Sequence, residues 1–212
     1  MNDIPAQATK RDGFQPLRER GAPDHRRAMA PRVVLVSGPK QSGKSTLVET
    51  LIAVLAGRGL RIAGILAKGL WKDGLRAGFD LVDLATGQCV PLARRRSAPH
   101  PAHGMVFDFF DSGFQAGAVA LSLDVCRRAD LVVVDEIGRL EAGGKGWAPH
   151  LRELLTLEGP LLILVARLDC LPRIRDRFGL HDAPLIDVRD PGAPARLRAA
   201  MGAESAGHSV LE

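Results

Sequence analysis

The sequence contains no tyrosine, and its seven Phe and two Trp residues bring the aromatic content to only 4% of 212 residues. Proteins that bind single-stranded nucleic acid stack bases on aromatic side chains, so this scarcity argues against such a platform. The net charge is +5, but residues 1–32 alone hold seven Lys or Arg against four Asp or Glu and account for +3 of it. The rest of the chain is nearly neutral and lacks the basic face of a nucleic-acid-binding domain. We therefore expect no nucleic acid partner.

Cysteine is scarce as well, with three residues far apart in the chain, Cys89, Cys126 and Cys170. An odd number of cysteines without a Cys-x-x-Cys pair favours neither a disulfide framework nor a zinc site, and it fits a reducing cytoplasm. No apolar run approaches the roughly 18 residues needed to span a bilayer, and charged residues stand where a signal peptide would be apolar. These absences predict a cytoplasmic protein without membrane insertion.

The length and the apolar content of 46% predict one α/β domain with appendages. Residues 1–31 mix Pro, Gly and charges without apolar periodicity, which predicts a disordered basic tail. That tail is also a candidate contact for an acidic protein partner. We assign residues 32–201 to the domain and residues 202–212 to a flexible C-terminal tail.

Short apolar runs alternate with helical patterns from Val33 onward. The patterns predict strands at 33–36, 62–66, 105–109, 131–134, 161–165 and 185–188, and helices at 111–128, near 147–157, near 171–178 and from about 194. A further helix follows the first strand and stops at Gly57, and a hairpin within 68–93 turns at Thr86-Gly87. This alternation predicts a mostly parallel sheet sandwiched by helices, with ligands bound at the carboxyl ends of the strands.

A glycine-rich segment that fits G-x-x-x-x-G-K-[ST] lies between the first predicted strand and its helix. This context predicts a phosphate-binding loop, because successive backbone N–H groups turn inward and the helix adds its positive N-terminus. Lys44 is expected to reach the β- and γ-phosphates, Ser45 to bind Mg²⁺ and Thr46 to bind the α-phosphate. The predicted nucleotide-binding residues of this segment are Gly38, Pro39, Lys40, Gln41, Ser42, Gly43, Lys44, Ser45 and Thr46.

The apolar run of residues 131–134 ends in two carboxylates, Asp135 and Glu136, at the edge where the phosphates should lie. Asp135 is predicted to hold Mg²⁺, usually through water, and Glu136 to orient or deprotonate an attacking water. Two acids at a strand end are also typical of a solvated surface, but the phosphate loop at the same edge favours catalysis. Together the two motifs predict a P-loop NTPase fold with a β-hairpin insertion.

Three segments, GPKQSGKST, LRAGFDLVDLATGQ and VVVDEIGRLE, occur in the order and spacing typical of the thermostable and cancer-related nucleoside-triphosphatases. Residues 33–190 resemble that family. The resemblance implies slow, Mg²⁺-dependent hydrolysis of the terminal phosphate of ATP, GTP and other nucleoside triphosphates, with little base preference. It implies catalytic roles for Lys44 and Glu136, makes Arg76 a candidate for stabilising charge on the transferred phosphoryl group, and makes Arg189 a nucleotide-binding residue. A plain surface arginine is the alternative for Arg76.

The sequence departs from the family pattern at two positions. Ala166 precedes Arg167 where the family usually has histidine, which implies slower hydrolysis or a different task. Val188 stands where the family tends to have asparagine, which implies altered base recognition. Glu141 matches the family pattern, and two roles stay open for it, support of the site or a simple salt bridge.

Two other functions stay open beside hydrolysis. The same loop transfers phosphate to any hydroxyl that displaces water, which would make the protein a small-molecule kinase. Alternatively, hydrolysis is a timer in a nucleotide-gated accessory protein of a transporter or cofactor pathway. A kinase needs a recognisable acceptor site, and the Asp-Glu pair favours water.

Overall fold

The computed structural model describes residues 32–98 and 106–202, which form one mixed sheet with helices packed on it. The strands are β1 (Arg32–Gly38), β2 (Ile62–Lys72), β3 (Leu75–Asp83), β4 (Cys89–Arg95), β5 (Phe107–Phe109), β6 (Leu131–Ile137), β7 (Leu161–Arg167) and β8 (Leu185–Asp187). The helices are α1 (Lys44–Ala56), α2 (Asp111–Ala120), α3 (Leu123–Cys126), α4 (Arg139–Ala142), α5 (Ala148–Leu154), α6 (Leu171–Phe178) and α7 (Ala193–Ala200). The predicted tail 1–31, and the tail 202–212 from residue 203 onward, lie outside the described residues.

All eight strands belong to one sheet in the order β5-β4-β3-β2-β6-β7-β1-β8. Strands β2, β6, β7, β1 and β8 pair in parallel, whereas β3, β4 and β5 extend the sheet through antiparallel pairs. Parallel neighbours need crossover connections, which the helices provide. The predicted α/β fold with a mostly parallel sheet is therefore confirmed.

The two faces of the sheet carry separate apolar cores, because successive side chains of a strand point to opposite faces. Leu35 and Val132 pack with residues of α2, α3, α5 and α6 on one face. Val34 and Leu131 pack with α1 and α7 on the other. Helices thus cover both faces, which explains why the sequences of the parallel strands are uninterrupted apolar runs.

The single helix predicted over 111–128 is wrong, because α2 ends at Ala120 and α3 begins at Leu123. Ser122 between them is extended, with φ of −63° and ψ of 146°, and a helix cannot continue through that conformation.

The packing of α2 also relies on small residues. A Cβ at Gly117 would lie 2.3 Å from the Trp147 ring, so the glycine lets the helix approach the indole closely.

The predicted hairpin is present, and a second hairpin precedes it. The turn at Thr86-Gly87 joins β3 to β4, and an Asp73-Gly74 turn joins β2 to β3. Asp73 and Gly74 have positive φ values of 50° and 73°, as two-residue hairpin turns require. The predicted second strand stops at Leu66, short of this turn. In the structure β2 continues to Lys72, so the hairpin formed by β2 and β3 extends past the carboxyl edge of the parallel strands.

No helix within residues 32–98 and 106–202 has both the length and the apolar content required to cross a bilayer.

Candidate functional site

The parallel strands end side by side at one edge of the sheet. Gly38, the last residue of β1, pairs with Arg167, the last residue of β7. Next to it, Ala166 of β7 pairs with Ile137 of β6. The loop after β1 and the carboxylates of β6 therefore meet at the carboxyl edge, where α/β proteins bind their ligands.

The loop between β1 and α1 has the backbone that a phosphate-binding loop requires. Gln41 and Gly43 have positive φ values of 59° and 88°, and Gly43 directly precedes α1. An added Cβ at Gly38 would lie 2.6 Å from Val188 Cγ2 and 2.7 Å from Ser42 Oγ, so no side chain fits there. The first N–H groups of α1 point out of the helix toward this loop, where an anion can accept them. Exposed at this edge are Pro39, Lys40, Gln41, Gly43 and Thr46.

The Lys44 side chain folds back over the loop and is only 7% exposed. Its Nζ donates to the Pro39 carbonyl oxygen at 2.9 Å and to the Gly38 carbonyl oxygen at 3.3 Å. The same ammonium lies 3.4 Å from Glu136 Oε1. The predicted phosphate-binding lysine and the predicted catalytic carboxylate are thereby brought together.

Asp135 and Glu136 occupy an irregularity at the end of β6. The register against β7 shifts between Asp135 and Ile137, so Glu136 is the extra residue of a β-bulge, and its peptide with Asp135 is cis. A bulge breaks the alternation of side chains and redirects them. Asp135 is accordingly buried, whereas Glu136 is a third exposed and reaches Lys44.

Asp135 is a buried acid whose oxygens are unsatisfied. Burial and the charge of Glu136 raise the pKa of Asp135 to about 7, although the nearby Ser45 hydroxyl and Lys44 ammonium act in the opposite direction. Neither Asp135 oxygen completes a hydrogen bond of normal geometry with any described residue. Two such acceptors beside a serine hydroxyl fit a hard divalent cation, which prefers oxygen ligands.

Ser45 and Asp135 are therefore the residues that would hold Mg²⁺. The described residues contain no group of three or more His, Cys, Asp or Glu side chains able to hold a metal ion. Magnesium sites commonly use few protein ligands and complete their shell with water and substrate phosphates.

Arg76 approaches the same carboxylates from β3. Its guanidinium lies over Gly69 of β2, where an added Cβ would be 1.0 Å from Nη1, and 4.1 Å from the centre of the Trp71 ring. Burial lowers the pKa of Arg76, while the charges of Glu136 and Asp135 act in the opposite direction. The coupling of Arg76 to the charges of Glu136 and Asp135 favours a site residue over a plain surface arginine, and its catalytic role stays a prediction.

Arg189 follows β8, at the opposite end of the site from Arg76. It forms a fork with Asp187, with 2.6 Å between Nη2 and Oδ2 and 3.0 Å between Nε and Oδ1. These hydrogen bonds lower the pKa of Asp187 to about 2. Val188, directly before Arg189, contacts the phosphate loop at Gly38. The structure thus places Arg189 beside the loop, and its nucleotide-binding role stays a prediction.

Glu141 fixes the segment that follows Asp135 and Glu136. Its buried Oε2 accepts a hydrogen bond from the Gly138 N–H at 2.7 Å, and Oε1 accepts one from the Trp147 N–H at 3.0 Å. Burial raises the pKa of Glu141. Among the described residues it forms no salt bridge, so these hydrogen bonds support the first of its two open roles.

We expect Glu141→Gln to lower the free energy of unfolding by about 1–3 kcal/mol, because one backbone N–H would face the amide NH₂ and lose its acceptor. Thermal unfolding followed by circular dichroism measures this change. The matched control is Glu153→Gln on α5, where the side chain is exposed. Equal melting temperatures for the two variants would contradict the role given to Glu141.

Sequence reasoning gave no site role to Arg167. The residue ends a buried strand, but nothing in the local sequence indicates that β7 lies between β1 and β6. Its place directly after the apolar run of β7 shows that it stands at a strand end, but not at which edge of the site.

A family described as NTPase matches residues 33–186. The nucleoside-triphosphatase THEP1 of Thermococcus kodakarensis is 31% identical over 148 residues, which cover 68% of this chain and 79% of the relative. The cancer-related nucleoside-triphosphatase homolog of Mus musculus is 31% identical over 145 residues, covering 62% of this chain and 73% of the relative.

Solved structures show the same fold. The solution structure of a human cancer-related nucleoside triphosphatase superposes with a TM-score of 0.61 and 24% identity, covering 84% of this chain and 100% of that one. The crystal structure of THEP1 from the hyperthermophile Aquifex aeolicus gives a TM-score of 0.58 and 19% identity, covering 79% and 98%. At these identities the likeness concerns the fold alone.

Proposed function

The chain belongs to the nucleoside-triphosphatase family that contains THEP1 and the cancer-related enzymes, and we propose that it hydrolyses the terminal phosphate of ATP, GTP and other nucleoside triphosphates with Mg²⁺. The observation that carries the site is the position of the Lys44 ammonium, between the loop carbonyls and the Glu136 carboxylate. A lysine in this position brings the phosphates it binds within reach of the carboxylate that activates water.

Hydrolysis requires a water molecule to attack the γ-phosphorus in line with the leaving group. The N–H groups of the loop and the Lys44 ammonium neutralise charge on the β- and γ-phosphates. Glu136 orients the water and accepts its proton as the new oxygen–phosphorus bond forms. The bond from the γ-phosphorus to the bridging oxygen breaks, and the nucleoside diphosphate leaves with the electron pair. Glu136 then returns the proton to the solvent or to the released phosphate.

Ser45 and Asp135 hold the metal in this proposal, and Arg76 contacts the transferred phosphoryl group. Mg²⁺, when bound, supplies positive charge to the β- and γ-phosphate oxygens. The loop N–H groups, Lys44 and Arg76 all bind phosphate oxygens in this proposal, and every nucleoside triphosphate has these phosphates. This supports broad base specificity, and slow turnover is part of the same proposal.

The first test measures phosphate release from ATP, GTP, CTP and UTP. We expect release from all four, loss of release when EDTA removes Mg²⁺, and recovery when Mg²⁺ is restored.

Asp135→Asn should raise the Mg²⁺ concentration needed for half-maximal rate by about tenfold or more, since a neutral amide binds the cation more weakly than a carboxylate does. Asp130→Asn, at the opposite edge of the sheet, is the control. Tight nucleotide binding without phosphate release would refute hydrolysis and direct attention to an acceptor substrate or a protein partner.

A cytoplasmic location and an acidic partner for the tail 1–31 stay predictions. Three unpaired thiols support the location, with Cys89 exposed and Cys126 and Cys170 buried. Unpaired cysteines fit a reducing compartment.

A further inference from the structure

Arg167 ends the strand that lies between the phosphate loop and the catalytic carboxylates. On one side of β7 it pairs with Gly38, where the loop begins. On the other side its neighbour Ala166 pairs with Ile137, which directly follows Glu136. The pairing of the strands therefore places Arg167 between the phosphate loop and Glu136.

Two contacts fix the direction of the Arg167 side chain. Its Nε and Nη2 donate to Asp169 Oδ1 and Oδ2 at 3.0 Å and 2.8 Å. Its aliphatic stem lies against Gly138, where an added Cβ would be 2.9 Å from Arg167 Cδ. A two-pronged fork sets the plane of the guanidinium as well as its position. The Nη1 group makes no hydrogen bond with a described residue and is available to another acceptor.

The charges around Arg167 favour a fixed cation. Burial by itself would lower its pKa, but the hydrogen bond and charge of Asp169, together with the charge of Glu136, raise it. Asp169 is also 3.7 Å from the exposed Arg139, so its own charge is shared between two arginines. An oriented cation in a partly buried site stabilises developing negative charge far better than one in water.

We propose that Arg167 is a further catalytic residue, which contacts the γ-phosphate, and that Asp169 is its positioning residue. This inference rests on the proposed hydrolysis. In the sheet order, Arg76 on β3 and Arg167 on β7 lie on the two sides of β6, which carries Glu136. In this proposal the two guanidinium groups flank the attacking water, and they stabilise the charge on the γ-phosphate oxygens from both sides as the bond to the bridging oxygen breaks.

The test compares two Arg–Asp forks of the same kind. Arg61 and Asp130 form a fork at the opposite edge of the sheet, with Nε–Oδ2 and Nη2–Oδ1 distances of 3.2 Å and 2.9 Å. The site variants are Arg167→Ala, Arg167→Lys and Asp169→Asn, and the controls are Arg61→Ala and Asp130→Asn. For each purified full-length protein, kcat and KM for ATP, the Kd for ADP and the melting temperature are measured.

We expect Arg167→Ala to lower kcat about 10²-fold and to leave the Kd for ADP unchanged, since ADP lacks the γ-phosphate. Added guanidinium ion should restore part of the lost rate. Arg167→Lys should fall between wild type and Arg167→Ala, and Asp169→Asn should lower kcat less than Arg167→Ala does. Both controls should keep the wild-type kcat, whatever their melting temperatures.

A wild-type kcat in Arg167→Ala would overturn the proposal, as would a loss of rate equal to that of Arg61→Ala. If Arg167→Ala does not fold, Arg167→Lys decides, because normal ADP binding with a wild-type kcat would equally overturn it. A wild-type protein that releases no phosphate would instead refute the proposed hydrolysis, so the two failures are distinguishable.

Discussion

We expect Glu136→Gln to lower kcat about 10³-fold while leaving nucleotide affinity close to that of the wild type. Glutamine preserves the shape of the side chain but cannot accept the proton of the attacking water. The substitution also removes the negative charge that lies 3.4 Å from the Lys44 ammonium. With that charge gone, the ammonium is freer to bind phosphate, so nucleotide affinity should be retained or increased.

Single-turnover hydrolysis separates the chemical step from product release in this variant. Affinities for ATP and ADP are measured by titration calorimetry, and ATP is expected to stay intact in the Glu136→Gln protein during the titration. Glu49→Gln, exposed on α1, is the control for removing a surface carboxylate. A Glu136→Gln variant that turns over at the wild-type rate would show that another group activates the water.

The phosphate loop and the two carboxylates could be predicted because their signals are local. A buried strand followed directly by a glycine-rich segment and a helix indicates the phosphate loop. An apolar run that ends in two acids indicates the second half of the site. The rule that parallel strands bind ligands at their carboxyl ends then places the halves together. The ion pair between Lys44 and Glu136 agrees with that placement.

Arg167 could not be assigned in this way because its position depends on the order of the strands. β7 follows β6 in the chain, yet it is inserted between β6 and β1 in the sheet. Nothing in the apolar run of residues 161–166 distinguishes a central strand from a strand at the edge of the parallel region. The role proposed for its last residue therefore depends on the arrangement of the strands, which is a non-local property.

The helix predicted over 111–128 failed for a related reason. Phe114, Leu121 and Val125 recur at helical spacing, and this period continues across the break. The helical path stops because Ser122 is extended, although Leu121 directly before it is fully buried in the core. Apolar spacing reports which residues face the core, but it does not report a change in chain direction between them.

Glu141 shows a third limit of sequence reasoning. Its partners are the backbone N–H groups of Gly138 and Trp147. Almost every residue has such a group, so the residue types at these positions do not indicate that they bind Glu141. A carboxylate buried among apolar residues is costly unless its oxygens are hydrogen-bonded. Burial and hydrogen bonding together identify the role, and both require the folded structure.

Lys44→Ala is expected to weaken ATP binding by about 10- to 100-fold and to lower kcat by about 10²-fold. In the proposed complex the ammonium brings a full charge to the β- and γ-phosphates, and hydrogen bonds to charged groups are worth about 1.5–3 kcal/mol each. Because Lys44 is predicted to reach the γ-phosphate, the affinity for ATP should fall more than the affinity for ADP. Calorimetric titration of both nucleotides, alongside phosphate release, measures these changes.

Lys145→Ala is the control, because Lys145 is an exposed lysine on the loop that follows α4. It separates the loss of a phosphate contact from a general loss of positive charge on the protein. A general loss of charge would lower the affinities for ATP and ADP in both variants, and this effect would diminish at high salt. The folded state of Lys44→Ala must be checked by its melting temperature, since the lysine also bonds the carbonyl groups of Gly38 and Pro39. A folded Lys44→Ala protein that binds ATP and ADP as the wild type does would place the phosphates elsewhere on the molecule.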